Sequence, residues 1–301
     1  MKKAIVTGAN GFIGSHLVKK LLEENVDVVS VDLEGRNNNI PSESKFIPCD
    51  LSDPESLLTK ISDDVDTFYH LAWLGLTGDK RGSFEVQLNN AKNTVNALLT
   101  AYKLGCKTFI GAGSIMEDET NIAVDTDGHQ PGIGYVYGAG KYVAKSMCKC
   151  IAGNLGINMI WAKITNTYGV GEVSDRFINT TLRKIINNEK LQFTAATQNY
   201  DFVYIDDIAK AFYLIGEKGK NFKTYMISSG NAQPLKQYIV RIKDLLAPHA
   251  ELNFGDIPFT GVNLPISVFS NQQLVDDTGF SCDVSFEDGM LKTFEFLKNL
   301  K

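Results

Sequence analysis

Three glycines in the spacing Gly8-x-x-Gly11-x-x-Gly14 separate a short buried-strand run, Lys3–Thr7, from an amphipathic helix whose Ile13, Leu17, Leu21 and Leu22 share one face. A second strand run over residues 26–31 follows, and Asp32 closes the unit. Few folds use this order. The glycines let the backbone turn sharply off the strand, approach a ligand, and pack the new helix on the sheet. The free N–H groups at that helix's N-terminus, reinforced by the helix dipole, favour a bound phosphate. Glycines also mark ordinary turns, so the triplet alone says little. Placed between strand and helix, with an acid 18 residues beyond Gly14, it marks a dinucleotide-binding βαβ unit.

The rest of the chain continues the alternation. Strand runs are expected over residues 45–49, 66–72, 107–112 and 158–164, with long helices over 83–103 and 137–154 between them. Asp53-Pro54-Glu55 carries a helix-start signature. Strands alternating with helices give an α/β fold, a Rossmann-type doubly wound parallel sheet whose ligand lies outside the carboxyl ends of the strands. Beyond Asn166 the rhythm becomes irregular, with helices expected over 176–187, 205–217, 234–246 and 286–298 and strands over 190–194 and 223–228. The expected division is a dinucleotide-binding domain over residues 1–170, with 201–230 returning to it. A smaller C-terminal substrate-binding lobe would take most of 171–301.

With 301 residues the chain can bury one large α/β core plus a small lobe. A formal net charge of −5, without a basic stripe, argues against nucleic acid or an anionic membrane as partner. The apolar run after Met1-Lys2-Lys3 is too short for a signal sequence, and no stretch approaches the roughly 18 apolar residues of a membrane span. Five cysteines, an odd count, fit reduced structural thiols. Cys148 and Cys150 would point about 200° apart on a helix, against a metal pair, and no metal site is expected. These features together predict a cytoplasmic protein.

Tyr137-Gly-Ala-Gly-Lys141 is the second decisive pattern. Residues four apart share a helix face, so the Lys141 ammonium and the Tyr137 ring can serve one site. A phenol is a poor base at neutral pH, and nearby positive charge favours its phenolate. Tyr135 and Tyr142 lack a lysine four residues on. Alone, the pair reads better as a surface Tyr–Lys contact, because the spacing occurs often by chance. Ser114, closing Phe109-Ile-Gly-Ala-Gly-Ser114, would stand at a strand's carboxyl end facing the same crevice. The glycines beside Ala112 would leave room for a close ligand approach.

With these motifs the chain resembles the extended short-chain dehydrogenase/reductase family of nucleotide-sugar epimerases, ketoreductases and dehydratases. The match runs through the glycine triplet, Asp32, Asp50-Leu51, His70-Leu71-Ala72, Asn90 with Thr94, Ser114, Tyr137 with Lys141, Asn166 with Tyr168-Gly169, and the segment from Asp201 to Asp207. The resemblance implies NAD as cofactor, with Gly8, Gly11, Phe12, Ile13 and Gly14 at its pyrophosphate. It implies Asp32 at the adenosine ribose, Asp50 and Leu51 at the adenine, and Leu71, Ala72 and Trp73 beside the pyrophosphate and nicotinamide ribose. Asn90 would support the cofactor site. Tyr137 would be the acid/base, Lys141 would hold the ribose and tune Tyr137, and Ser114 would orient the substrate oxygen. Asn166 is implied at a substrate diphosphate. His70 reads better as a satisfied core histidine, and Asp206 and Asp207 as a helix-start pair.

Departures from the family pattern narrow the reading. Dehydratases carry an Asp-Glu pair directly after the serine position, where this chain has Ile115 and Met116; Glu117 and Asp118 arrive two residues late. Tyr200 replaces an arginine that often reaches a substrate phosphate, leaving Arg176, Arg183 or Lys163 to compensate. Trp73 stands where a small residue is usual. Asp32 favours NAD over NADP, with Arg36 nearby as the opposing influence. The expected function is an NAD-dependent nucleotide-sugar epimerase acting through a keto intermediate on a small-molecule substrate. The alternatives are an NAD(P)H-dependent 4-ketoreductase of a keto-deoxysugar nucleotide and a non-catalytic dinucleotide-sensing regulator, which would not need Ser114, Tyr137 and Lys141 together. Family members commonly form homodimers through the two long helices, whose outward Val95, Leu99 and Met147 are apolar here.

Overall fold

A computed structural model describes residues 1–61 and 64–300. Its first half alternates as the sequence pattern requires: β1 (Lys3–Thr7), α1 (Phe12–Glu23), β2 (Asp27–Asp32), β3 (Lys45–Pro48) and β4 (Thr67–His70). Next come α2 (Asp79–Gly82), α3 (Phe84–Lys103), β5 (Thr108–Ser114), α4 (Met116–Asp125), α5 (Val136–Leu155) and β6 (Asn158–Ile164). The Pro54 signature starts only a 3-10 turn, Pro54–Thr59. The C-terminal part holds β7 (Asn166–Tyr168), α6 (Phe177–Ile186), β8 (Leu191–Phe193), β9 (Asn199–Tyr200), β10 (Phe202–Tyr204), α7 (Ile205–Lys218) and β11 (Thr224–Ile227). It ends with β12 (Gln233–Pro234), α8 (Leu235–Leu246), β13 (Leu252–Phe254), α9 (Gln272–Thr278) and α10 (Phe286–Asn299).

The central sheet has seven strands in the order β11-β6-β5-β4-β1-β2-β3, and every pairing is parallel. Strand order reverses between β1 and β4, which opens a crevice at their carboxyl ends. The Rossmann-type expectation holds. β11 returns from the C-terminal part to pair with β6. Both faces of the sheet are covered: one core cluster contains Ala4, Leu17, Tyr69 and Phe212, the other Ile5, Phe68, Phe109 and Trp161. Strands buried on both faces explain the near-continuous apolar runs of β1 and β2. Three two-stranded ladders, β10 with β7, β12 with β9 and β13 with β8, account for the irregular rhythm beyond Asn166.

α4 was not legible in the sequence. Its buried residues are Glu117, Thr120 and Ala123, so an apolar stripe at helical spacing is missing and the polar residues face inward.

Candidate active site

The glycine loop leaves β1 at Thr7. Gly8 has φ of +69°, and a Cβ there would lie 2.7 Å from the Ala72 backbone nitrogen, so a side chain is excluded twice. At Gly14 a Cβ would come within 2.0 Å of the Gly8 carbonyl oxygen, which is how closely α1 packs on the loop. No side chain caps α1 at Gly11, so its first N–H groups are left for an anion. Asp32, at the end of β2, accepts the Asn10 N–H at 3.0 Å and the Leu33 N–H at 2.9 Å. Phe12 and Ile13 are half-buried on the first turn of α1. Leu71, Ala72 and Trp73 continue directly from β4, and Asp50 and Leu51 from β3, all at the carboxyl edge of the sheet. Asn90 clamps this edge from α3: its Nδ2 donates to the Leu74 carbonyl at 2.8 Å and its Oδ1 accepts the Leu74 N–H at 3.1 Å. A turn closed to side chains, an uncapped helix and a carboxylate at the tip of β2 fit a dinucleotide.

Ser114 ends β5, and its Oγ accepts the Met116 N–H at 3.2 Å. Tyr137 and Lys141 lie on the buried face of α5, 7% and 4% exposed. That helix sits close because glycines flank the pair's spacer. A Cβ at Gly138 would strike Thr120 Oγ1 and the Met116 carbonyl, and one at Gly140 would press on Gln87. Lys141 Nζ donates to the Ala112 carbonyl at 2.7 Å. It lies 3.7 Å from the centroid of the Trp73 ring and 6.0 Å from that of Tyr137. The Trp73 and Tyr137 rings meet edge to face, 6.2 Å apart. On the other side of Tyr137 the Arg81 guanidinium lies 4.7 Å from the ring centroid.

Burial pushes the Tyr137 phenol up; a hydrogen bond to Ser114 and the charges of Arg176 and Arg81 work against that. Burial pulls Lys141 down to about 7, opposed by the Glu117 carboxylate. The charges that favour the Tyr137 phenolate are therefore the two arginines. Arg81 was not picked out in the sequence: it lies on the four-residue α2, where no periodicity points to a partner. Glu119, on α4, is pushed up to about 7 by burial, with Arg81 opposing and Asp118 adding to the rise.

One expectation is corrected. The room at Gly111 and Gly113 is taken by Trp161 of the neighbouring strand, not left for a ligand: Cβ atoms there would lie 2.2 and 2.3 Å from its ring. Glu117 completes that arrangement. Its Oε1 accepts from Trp161 Nε1 and from the Ser114 N–H, both at 2.9 Å, and its Oε2 is 3.1 Å from Lys145 Nζ. This buried carboxylate fixes the end of β5, a role hidden in the sequence because Trp161 is 44 residues away.

Each of the three cations available to compensate for Tyr200 has an acidic partner. Lys163 pairs with Asp118 at 2.6 Å, and Arg183 with Asp175 at 2.7 Å. Arg176 stays near Tyr137, with Glu172 at 3.8 Å. Asn166 donates from Nδ2 to the Asp201 carbonyl at 3.1 Å, joining β7 to β10. His70 is the satisfied core histidine expected, between the Thr7 and Thr94 hydroxyls at 3.0 and 3.1 Å. Asp206 and Asp207 do begin α7, but each also reaches outside it: Asp206 to His16 at 2.9 Å, Asp207 to the Asp283 N–H at 2.8 Å.

A sequence profile of the NAD dependent epimerase/dehydratase family matches residues 4–228, which span the glycine loop, Ser114, Tyr137 and Lys141. The chain belongs to that family. It is thus an enzyme of the extended short-chain dehydrogenase/reductase type, and NAD is the cofactor of its family. Among curated relatives, a Methanocaldococcus jannaschii protein with the provisional name UDP-glucose 4-epimerase is 27% identical, over 98% of each chain. The dTDP-4-dehydro-6-deoxyglucose reductase of Escherichia coli is 25% identical over 98% of this chain and 97% of the relative. The fold is shared with the UDP-glucuronic acid 4-epimerase of Bacillus cereus, solved with UDP-glucuronic acid and NAD, at a TM-score of 0.81. That structure is 23% identical and covers 99% of this chain and all of its own. The family is therefore one of nucleotide-sugar epimerases, dehydratases and reductases, and no described helix is long and apolar enough to cross a membrane.

Proposed function

We propose that this family member is a nucleotide-sugar epimerase that works through a transient keto sugar, in a homodimer built on α3 and α5. The observation that carries the reading is the convergence of Ser114, Tyr137 and Lys141 at the carboxyl end of the sheet, beside the glycine loop. Dehydration is disfavoured because Glu117 is tied to Trp161 and the Ser114 N–H, and Asp118 is paired with Lys163.

Bound NAD would supply the site that accepts a hydride and returns it. Gly8, Gly11, Phe12, Ile13 and Gly14 would hold it with Asp32, Asp50, Leu51, Leu71, Ala72 and Trp73, while Asn90 keeps the Leu74 segment in place. Tyr137 takes the proton of a sugar hydroxyl and later gives it back to the same oxygen. Ser114 orients that oxygen by turning to it the hydroxyl hydrogen that now serves Tyr137, while its Oγ accepts the Met116 N–H. Arg176 and Arg81 keep more of Tyr137 in the phenolate form that can accept a proton, against the burial that disfavours it. Arg176 and Asn166 would lie toward the nucleotide diphosphate, in a smaller substrate lobe built mainly from the chain after residue 170.

The 4-ketoreductase reading is kept because of the likeness to the Escherichia coli reductase. The deciding experiment is a screen of sugar nucleotides with product NMR. Epimerisation gives a stereoisomer of unchanged mass without net use of cofactor, and NAD should co-purify. Stoichiometric NADH consumption with a keto sugar, and none of this isomerisation, would overturn the epimerase reading.

A further inference from the structure

We propose that Trp73 is a positioning residue whose indole face holds the Lys141 ammonium in place beside Tyr137. The proposal rests on the reading of Tyr137 and Lys141 as one site, and it adds a residue whose side chain acts through Lys141. An ammonium taken out of water needs its N–H directions satisfied. One goes to the Ala112 carbonyl at 2.7 Å. The Trp73 ring lies 3.7 Å from Nζ, well within the range where an aromatic face attracts a cation, and the attraction grows when water is excluded. With Lys141 only 4% exposed, that condition is met.

The indole is itself held. Its Nε1 donates to Gln87 Oε1 at 2.7 Å, and Gln87 Nε2 donates to the Gly75 and Lys80 carbonyls at 3.2 and 3.0 Å. Gln87 is 1% exposed, so the ring plane is fixed from α3 and cannot swing off the lysine cheaply. The edge-to-face contact with Tyr137 fixes the other side of the indole. A small residue at position 73 would leave Nζ without this wall.

Among the described residues, the charged and titratable groups around Lys141 are few. Tyr137 and Lys145 come from its own helix, His70 from β4 and Glu117 from α4. Lys145 is taken up by Glu117, and His70 is held neutral by burial. Glu117 favours the ammonium, but it already serves Trp161, Ser114 and Lys145. Besides the Ala112 carbonyl at 2.7 Å, the aromatic face is thus the group placed to offset the desolvation that pulls Lys141 down to about 7. Removing it should lower the titration midpoint further, since the charged form loses its support.

The test is lysine side-chain NMR on the protein as purified, with ¹³C- and ¹⁵N-labelled lysine, the Lys141 signal being assigned through Lys141→Arg. Wild type, Trp73→Phe and Trp73→Leu are titrated. The Lys141 midpoint should fall by about one unit in Trp73→Leu, and by less in Trp73→Phe, which keeps an aromatic face. Other lysines serve as internal controls. A midpoint unchanged or raised in Trp73→Leu overturns the proposal. If the leucine variant does not fold, Trp73→Met, bulky but without an aromatic face, takes its place, and an unmoved midpoint there overturns the proposal equally. No sugar substrate enters this measurement, so its outcome is independent of whether the reaction is epimerisation.

Discussion

The Arg81 guanidinium lies 4.7 Å from the centroid of the Tyr137 ring, and its charge lowers a phenol that burial raises. Replacing Arg81 with leucine removes a charge that favours phenolate. The Tyr137 pKa should then rise, and the acidic limb of the kcat/KM–pH profile should move to higher pH by about half a unit to one unit. An acidic limb that stays in place would show that Arg81 does not act on the phenol.

Tyr137→Phe fills the same space and removes the proton-transfer group. Turnover should fall by about 10²- to 10⁴-fold while NAD binding stays nearly intact. Lys141→Ala should lose both rate and cofactor affinity. Rate and affinity are read separately, by product NMR and by fluorescence titration. More than about a tenth of the wild-type rate in Tyr137→Phe would remove the phenol from the acid/base role.

NAD should bind at least about tenfold more tightly than NADP, a difference of about 1.4 kcal/mol and within reach of one charge-assisted hydrogen bond. Asp32 is held at the tip of β2 by the Asn10 and Leu33 N–H groups, with Arg36 Nε 3.9 Å from its Oδ1. Asp32→Ala should reduce the preference. Equal affinities in the wild type would mean that Arg36 overrides the carboxylate.

The outward face of α3 and α5 is apolar for a solvated surface: Leu88 is 55% exposed and Met147 51%, with Val95 and Val143 between them. Light scattering should find a dimer, and Leu88→Glu with Met147→Glu should give a monomer. A wild-type monomer at every concentration excludes this pairing.

His70 is buried, and burial, with the Lys141 charge behind it, pulls it down to about 3. An unfolded chain takes up a proton near pH 6.5, whereas the folded chain refuses it until about pH 3. The folded-state pKa is depressed, so this contribution is complete above 6.5 and is lost as pH falls toward 3. The loss should be about 2 kcal/mol by pH 5. Urea midpoints at pH 7.5 and 5 measure it, and His70→Gln should flatten the dependence. The same slope in both proteins would count against a buried neutral histidine.

Much of the site could be read from spacing because its signals are local. Gly8, Gly11 and Gly14 stand within one turn and one helix start, and four-residue spacing alone puts Tyr137 and Lys141 on one face of α5. Ser114 was legible as the end of a strand. The bare sequence thus determined the parallel sheet, the cofactor crevice and the shared helix face of Tyr137 and Lys141, because backbone geometry and helical period act over a few residues. Tertiary structure decided the rest. Trp161 takes the room at Gly111 and Gly113, Glu117 turns inward to it across 44 residues, and α2 brings Arg81 over Tyr137. Lys141 meets the face of Trp73. Such partners are chosen by packing between elements far apart in the chain, where volume, burial and the need to satisfy each polar group select the contact and no periodic signal exists to announce it.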